Sequence, residues 1–241
     1  MIAVQHHIGA ALERAYAAFA REPRPTRLIV SPLRDAGKIL ETLTAAPLRA
    51  LTCDQIGPYS SWAITTVGDA RDYRHFLPRI LELAVSDPTW LGAEPAVIAS
   101  KLKLGDWSAW GSEQRAAVIG VFEAAMEAAP ASDVGIGLDA EAWLCGLTTL
   151  DIAPEPWLAR WSAAPLPAAA CQIVQLVTVA VARDGSVSDG FWEEVDPVPR
   201  ATIAAWLASP ATRDQLIVAR AMIPEEDRWE IDMAIEKLGI A

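Results

Sequence analysis

Cysteine and histidine are scarce in this sequence, and the few that occur are not grouped. The 241 residues include three of each, and Cys53, Cys145 and Cys171 lie far apart with no CxxC pair. The sequence therefore predicts neither a disulfide framework nor a zinc site. Unpaired cysteines suit a reducing compartment, so we expect a cytoplasmic protein that folds with no metal and no other cofactor.

Motifs that signal catalysis or nucleotide binding are also missing. There is no GxSxG motif, and His75 is the only histidine outside the first seven residues, which leaves little for a Ser-His-Asp triad. Gly135 and Gly137 have neither the third glycine nor the preceding strand of a nucleotide-binding turn. The loop over residues 183–190 lacks the acidic ligands of a calcium site. These absences favour a protein that is not an enzyme, and they leave the question open.

An excess of basic residues is absent, and the acidic charge is unevenly distributed. The formal net charge is −11. Up to Pro130 there are 13 lysines and arginines against 14 aspartates and glutamates, and after it there are 7 against 17. Because phosphate neutralisation needs a basic surface, nucleic acid is disfavoured as a partner. The sequence identifies no partner and no oligomeric state, and protein is the class of partner that it leaves open.

No segment has the composition of a membrane anchor. The first residues lack a basic leader before an apolar core, so we expect no signal peptide. The uncharged stretch 162–182 is long enough to cross a bilayer, yet Pro165 and Pro167 lie near its start and two glutamines lie in its middle. Its many alanines contribute little to insertion. A buried central helix over about residues 167–183 is the favoured interpretation, with no membrane partner.

The residues that are abundant point to helices. Hydrophobic residues make up 52% of the chain, and in the long segments they recur with helical spacing. Only residues 27–30 resemble a strand. We therefore predict an all-α fold of about ten or eleven helices, arranged as a bundle or irregular array with little or no sheet. Residues 130–138 are the predicted linker between segments 1–130 and 139–241, which we expect to pack as one globular unit.

Capping and proline signals predict where two of the early helices begin. Ser31 followed by Pro32 is the pattern of an N-cap with proline at the first helical position, and it predicts a helix to about residue 44. Thr52 begins a capping box. We expect the helix that it opens to be interrupted near Pro58, because an interior proline removes a hydrogen bond.

The stretch 69–84 carries the strongest helical pattern. Asp69 is placed as an N-cap after Gly68, which permits a positive φ. At Pro78 either the helix kinks, or a short turn over residues 70–77 precedes a helix that begins at the proline. The kink is favoured, because the apolar stripe keeps its phase across Pro78. That stripe comprises Tyr73, Phe76, Leu77, Ile80, Leu81 and Ala84. The polar side supplies the candidate ligand- or partner-binding residues, which are Asp69, Arg71, Asp72, His75 and Arg79.

The run TTVGDARDYRHFLPRILELA also resembles the signature of a family of uncharacterised bacterial helical proteins, in which Gly-Asp is followed by His-Phe-Leu-Pro-Arg-Ile. The resemblance extends more loosely from about Tyr16 to Met126. Many members of that family carry clustered cysteines where this chain has residues 30–34, so a metal or redox role of those cysteines does not carry over. The resemblance implies an all-helical fold, and no activity is known for the family.

Two residue types have both a functional and a structural interpretation. The ten tryptophans include pairs at helical spacing, such as Trp157 and Trp161, for which a core position is favoured over a ring surface that binds sugar or peptide. The arginines closest to a basic patch are favoured as solvated residues over an anion site. These arginines are Arg21, Arg24, Arg27 and Arg34.

The leading functional hypothesis is a helical binding or scaffold protein without catalytic machinery. The alternative is an enzyme that acts on a small anionic substrate with the polar face around Asp69, Asp72, His75 and Arg79. The two hypotheses differ in geometry. Convergence of these side chains in a concave pocket favours the enzyme, and a convex face favours the binding protein.

Overall fold

The computed structural model describes residues 2–87 and 93–239, and within these ranges the chain is all-α. Twelve α-helices are joined by loops and short 3-10 turns, with no strand longer than an isolated bridge. The predicted fold class is therefore confirmed. The chain forms two compact units, residues 1–124 and 125–241, and the boundary falls within the sixth helix, before the predicted linker.

The first unit is built around the pair formed by its first and fourth helices. Helix α1 packs on α4, which also contacts α3 and α5. The helices are α1 (Ile2–Ala18), α2 (Ala36–Leu43), α3 (Cys53–Trp62), α4 (Ala70–Ser86), α5 (Pro95–Leu104) and α6 (Ser112–Ala128). Short 3-10 turns lie at Leu48–Ala50 and Trp107–Ala109.

The second unit is built around its apolar ninth helix, which packs against α7 and α12. The helices are α7 (Ala140–Thr149), α8 (Glu155–Ser162), α9 (Ala168–Ala180), α10 (Pro197–Leu207), α11 (Pro210–Met222) and α12 (Arg228–Lys237). Short 3-10 turns lie at Ala129–Ala131, Gly190–Glu194 and Glu225–Asp227.

Helix α9 confirms the interpretation of the uncharged stretch as a buried central helix. Ile173 and Leu176 are fully buried, and so is Gln172. The glutamine amide is satisfied, because its oxygen accepts the Ala140 N–H at 2.9 Å and its nitrogen donates to the Leu138 carbonyl at 3.0 Å. No helix in the described part of the chain combines the length and apolarity needed to cross a membrane.

The predicted start of α2 is wrong by four residues. The helix is capped by Asp35, whose carboxylate accepts the Lys38 N–H at 3.0 Å. The Ser31 N–H instead donates to the carbonyl of Thr66, next to the single bridge between Val30 and Val67. Because a residue distant in sequence already holds the Ser31 backbone in extended form, the helix begins at the next capping side chain.

The capping box that begins with Thr52 is confirmed, but the expected interruption at Pro58 is wrong. Helix α3 continues through the proline to Trp62. Pro58 is exposed, whereas Ile56 and Tyr59 are buried. The missing proline hydrogen bond is thus on the solvent side, and burial of the opposite face keeps the helix continuous.

The predicted N-cap and apolar stripe of helix α4 are confirmed. Gly68 has a φ of +64° and Asp69 is the N-cap. The helix runs through Pro78, which is itself buried. All six residues of the predicted apolar stripe are buried. Tyr59 of α3 packs edge-on against Phe76 at 4.9 Å between ring centroids, so this stripe forms the centre of the first unit's core.

Five of the nine described tryptophans are buried, including Trp157 and Trp161 of the predicted pair, and these confirm the core interpretation. Trp143, Trp161 and Trp192 are among the largest fully buried side chains. Trp161 also lies 5.3 Å from Trp206 between ring centroids. Trp229 is different, because 55% of it is exposed, so the composition alone did not distinguish the packed tryptophans from this one.

Candidate functional site

Three of the five sequence-derived candidates meet at the start of α4. The Asp69 carboxylate accepts hydrogen bonds from the backbone N–H groups of Arg71 and Asp72, at 2.8 and 3.0 Å. In return, the Asp72 carboxylate accepts the backbone N–H of Asp69 at 3.1 Å. This is a reciprocal capping box. Burial raises the pKa of Asp72, and the neighbouring Asp69 charge adds to that rise. Both carboxylates therefore satisfy the helix end, and the Arg71 side chain extends into solvent.

His75 lies one turn further along and faces a different part of the unit. Its Nδ1 is 3.1 Å from the Glu22 carbonyl. A carbonyl can only accept, so Nδ1 carries a proton and donates it to this hydrogen bond. The ring also packs edge-on against Phe76 at 4.9 Å. His75 is half-buried and oriented by these contacts.

Arg79 belongs to a chain of paired groups across α4. Its Nε donates to the Leu51 carbonyl at 2.8 Å, and its Nη1 donates to Glu82 at 2.6 Å. The same glutamate oxygen accepts the Tyr16 hydroxyl at 2.5 Å. Burial raises the pKa of Tyr16, and the hydrogen bond to Glu82 raises it further, so the phenol remains a protonated donor at neutral pH. The five candidates therefore do not converge on one point.

A groove of about 530 Å³ is lined by residues of both α1 and α4, and His75 is the candidate that lines it. The charged groups at its mouth are already paired. Arg49 donates two hydrogen bonds of 2.7 Å to Glu13 and lies 3.7 Å above the Tyr16 ring. We name this the α1–α4 groove. Other residues that line it are Ala17, Phe19, Ala20, Glu22, Pro47, Leu48 and Pro78.

A second groove, of about 350 Å³, lies between α2 and α3, and we name it the α2–α3 groove. Leu43 and the ring of Tyr59 contribute apolar surface to its lining, and the buried Tyr59 hydroxyl has no hydrogen-bond partner among the described residues. Leu33 stands at its edge with 95% of its surface exposed. Its volume falls in the range of small-molecule sites, about 300–1,000 Å³. The other lining residues are Arg34, Asp35, Lys38, Ile39, Thr42, Asp54, Gln55, Pro58 and Trp62.

The rim of the α2–α3 groove carries an oriented cation. The Arg34 guanidinium lies 3.4 Å from the centroid of the Trp62 ring, a stacking arrangement that fixes its plane. None of the acceptors in the described residues bonds to its N–H groups. The adjacent Asp35 carboxylate is occupied by the start of α2. Lys38 adds a second positive charge, and Asp54 a negative one.

Sequence reasoning singled out Arg34 only as part of a basic segment, and it missed Trp62. The missing information was the turn at residues 31–34, where the backbone N–H of Arg34 donates to the Ser31 carbonyl at 2.9 Å. This turn brings Arg34 back over α3. No local pattern indicates such a contact, because the two residues belong to different elements.

The three thiols offer no activated nucleophile. All three cysteines are free, and burial raises the pKa of Cys53, Cys145 and Cys171. Among the described residues no group of three or more metal-ligating side chains comes together.

No family model, curated protein or solved structure matches this chain. The resemblance of residues 65–84 to a bacterial helical family therefore stays a prediction.

Proposed function

We propose that this protein is a cytoplasmic binding protein whose α2–α3 groove holds a small apolar carboxylate. The observation that carries the proposal is the Arg34 guanidinium, stacked 3.4 Å from the Trp62 ring at the rim of an apolar groove. A guanidinium in a fixed plane presents two parallel N–H donors that match a carboxylate. The apolar body of the ligand would then lie on Leu43 and Tyr59.

The α2–α3 groove supports this proposal better than the α1–α4 groove does. In the latter, Arg49 is already bound to Glu13, and Tyr16 is bound to Glu82. A ligand would have to displace those partners, at the cost of the hydrogen bonds that it breaks. At the α2–α3 rim the Arg34 donors have no acceptor among the described residues, so a carboxylate gains contacts without breaking any.

The alternative of an enzyme around Asp69, Asp72, His75 and Arg79 has less support from the geometry. Asp69 and Asp72 bond to each other's backbone, and Arg79 bonds to Glu82. A general acid or base needs a reacting group within hydrogen-bond reach, and these carboxylates point at the helix end. His75 is the one of these four residues that lines a groove, and its Nδ1 is held by the Glu22 carbonyl.

Calorimetric titration of the full chain tests the proposed site. Three probes share a carboxylate and an apolar body: octanoate, 4-phenylbutyrate and indole-3-acetate. We expect at least one of them to bind, and its uncharged alcohol or amide analogue to bind at least about tenfold more weakly. A charged hydrogen bond contributes about 1.5–3 kcal/mol, which corresponds to roughly a tenfold or greater change in affinity.

Arg34→Ala should weaken binding by at least about tenfold, and Arg34→Lys by less, because it keeps the charge and loses the planar stack. Arg27→Ala is the matched control, since Arg27 is an exposed arginine of the same unit outside the groove. Equal affinity of the wild type and Arg34→Ala would contradict the proposal. So would failure of all three carboxylates to bind, or equally tight binding of the uncharged analogues.

A further inference from the structure

The second unit contains an open groove of about 560 Å³, which we name the acidic groove. Its walls are α9, α12 with the turn before it, and the segment 132–134 that precedes α7. The unit as a whole is strongly negative, with 7 basic and 18 acidic residues between 125 and 241. The groove therefore opens on a surface unlike that of the first unit.

Large apolar side chains are exposed along this groove. Trp229 and Met233 are 55% and 48% exposed, and Val134 on the facing segment is 42% exposed. Because Trp229 and Met233 are four residues apart on α12, they lie on the same face of that helix. Exposed apolar surface of this kind marks a site of interaction.

The charged side chains in the groove are all acidic. Asp133, Asp227 and Glu230 line it, and no lysine or arginine does. None of the described cations forms an ion pair with these three carboxylates. Burial raises the pKa of the Cys171 thiol, and the negative charges of the three carboxylates raise it further. The negative field thus converges inside the groove.

Two of the nearby basic residues of α11 and α12, Arg220 and Lys237, are engaged in other contacts. Arg220 donates two hydrogen bonds to Asp232, at 2.5 and 2.9 Å. Lys237 donates to the Val177 carbonyl at 3.0 Å. Arg228 is half-buried and does not line the groove. The groove's negative charge is therefore left for a partner to neutralise.

The Gln172 side chain of α9 fixes one end of the wall formed by residues 132–134, and it also fixes the start of α7. The Gln172 side chain donates to the Ser132 carbonyl and the Leu138 carbonyl, both at 3.0 Å, and accepts from the Ala140 N–H. These hydrogen bonds are buried or nearly so. A partner therefore meets a wall that is already ordered, which reduces the entropy cost of binding.

We propose that the acidic groove docks a basic amphipathic helix of another protein. The apolar stripe of that helix would pack on Trp229, Met233 and Val134, and its lysines or arginines would lie beside the three carboxylates. Helix-in-groove recognition uses apolar anchors at helical spacing. Tryptophan supplies contact area and methionine adapts to the shape of the anchor. This inference stands independently of the carboxylate site in the first unit.

Charge decides against the other occupants of an apolar groove. Anionic lipid headgroups and nucleic acid phosphates are repelled by unpaired carboxylates. A second copy meeting the same face would place its own three acids against these three, and like charges brought together at an interface are unfavourable. A basic helix satisfies both the apolar and the acidic part of the groove.

Fluorescence anisotropy with a labelled synthetic helix of leucine and lysine tests the proposal on the full chain. A scrambled peptide of the same composition has the same charge and no apolar face. We expect the amphipathic peptide to bind at least about tenfold more tightly than the scrambled one. Binding should weaken as salt rises, because part of the attraction is electrostatic and is screened.

Two matched pairs of variants locate the binding. Trp229→Ala should lower the affinity at least about tenfold, whereas Phe191→Ala, which removes another exposed aromatic of the same unit, should change it less than about twofold. The double variant Asp227→Asn, Glu230→Gln should lower affinity about fivefold at low salt. The equal charge change Glu155→Gln, Glu193→Gln, outside the groove, should have a smaller effect.

Four results would overturn the proposal. The first is equal binding of the scrambled peptide, and the second is equal effects of the groove variants and their controls. The third is binding of anionic vesicles that Trp229→Ala abolishes. The fourth is a concentration-dependent dimer in sedimentation that Trp229→Ala dissociates, because the occupant of the groove would then be a second copy.

Discussion

The two units of the chain differ in how their charges are balanced. Residues 1–124 contain 13 basic and 13 acidic residues, whereas residues 125–241 contain 7 and 18. Both units nevertheless bury a continuous apolar core, centred on α4 in the first and on α9 in the second. The two units therefore share a helical fold with an apolar core and differ in charge, because only the second has an excess of acidic residues.

The two units also differ in the contacts that their arginine side chains make. In the first unit, guanidinium groups lie over aromatic rings or donate hydrogen bonds to carboxylates near the grooves. These contacts orient the guanidinium groups. In the second unit many carboxylates have no basic residue to pair with. The described ring contacts of the first unit are Arg34 with Trp62, Arg49 with Tyr16 and Arg74 with Trp110, and that of the second is Arg160 with Trp157.

The largest expected effect tests whether the two cores are equivalent. Phe76→Ala in the first unit and Ile173→Ala in the second each remove a fully buried side chain. We expect losses in free energy of unfolding of about 3–5 and 2–5 kcal/mol, because each leaves a cavity. Denaturant unfolding monitored by circular dichroism measures both.

His75→Ala is the control for that experiment. The ring is half-buried and makes one hydrogen bond to the Glu22 carbonyl, so we expect a loss of about 1–2 kcal/mol. A loss as large as that of Phe76→Ala would show that the polar side of α4 is part of the core. The distinction between a buried apolar side and an open polar side of α4 would then be contradicted.

An intermediate effect is expected from Gln172→Leu in the second unit. The substitution leaves the Ala140 N–H and two carbonyls without their buried partner, so we expect a loss of about 2–4 kcal/mol. Amide exchange at Ala140 should accelerate at the same time. Thr178→Val, an exposed position on the same helix, should change stability by less than about 0.5 kcal/mol. Unchanged exchange at Ala140 would contradict the role given to Gln172.

The smallest effects concern two exposed ion pairs among the described residues, Arg49–Glu13 in the first unit and Arg220–Asp232 in the second. Arg49 lowers the pKa of Glu13 through its hydrogen bonds, and Arg220 lowers that of Asp232. A carboxyl whose pKa is lowered on folding adds stability above its unfolded pKa, and that stability is lost as pH falls through the folded pKa. Arg49→Ala should raise the pKa of Glu13 and leave Asp232 unchanged, and Arg220→Ala should do the reverse. Carboxyl titration by NMR gives both values, and a shift at the wrong partner would contradict the assignment.

Features set by local sequence were predictable. The Asp69 cap, the glycine before it and the buried stripe of α4 all follow from neighbours within a few turns. The charge difference between the halves is also visible in the sequence, and it disfavoured nucleic acid from the start. The start of α2 was not predictable, because Ser31 is held by Thr66 through a backbone hydrogen bond between segments distant in sequence.

The candidate sites depended on contacts that no spacing rule supplies. Arg34 and Trp62 lie in different elements, and the acidic groove combines Asp133 with Asp227 and Glu230 from the far end of the unit. The exposure of Trp229 was not predictable either, because its four-residue spacing from Met233 is equally typical of a buried helix face. Only the fold distinguishes an open apolar face from a closed one.

The most direct test of the account is one calorimetric experiment with both probes on the same protein. The chain is titrated with 4-phenylbutyrate and with the leucine–lysine helix, as wild type, as Arg34→Ala and as Trp229→Ala. We predict that Arg34→Ala loses carboxylate binding alone and that Trp229→Ala loses helix binding alone. If either variant weakens both probes equally, or neither probe distinguishes the variants, the assignment of opposite ligand charges to the two units is contradicted.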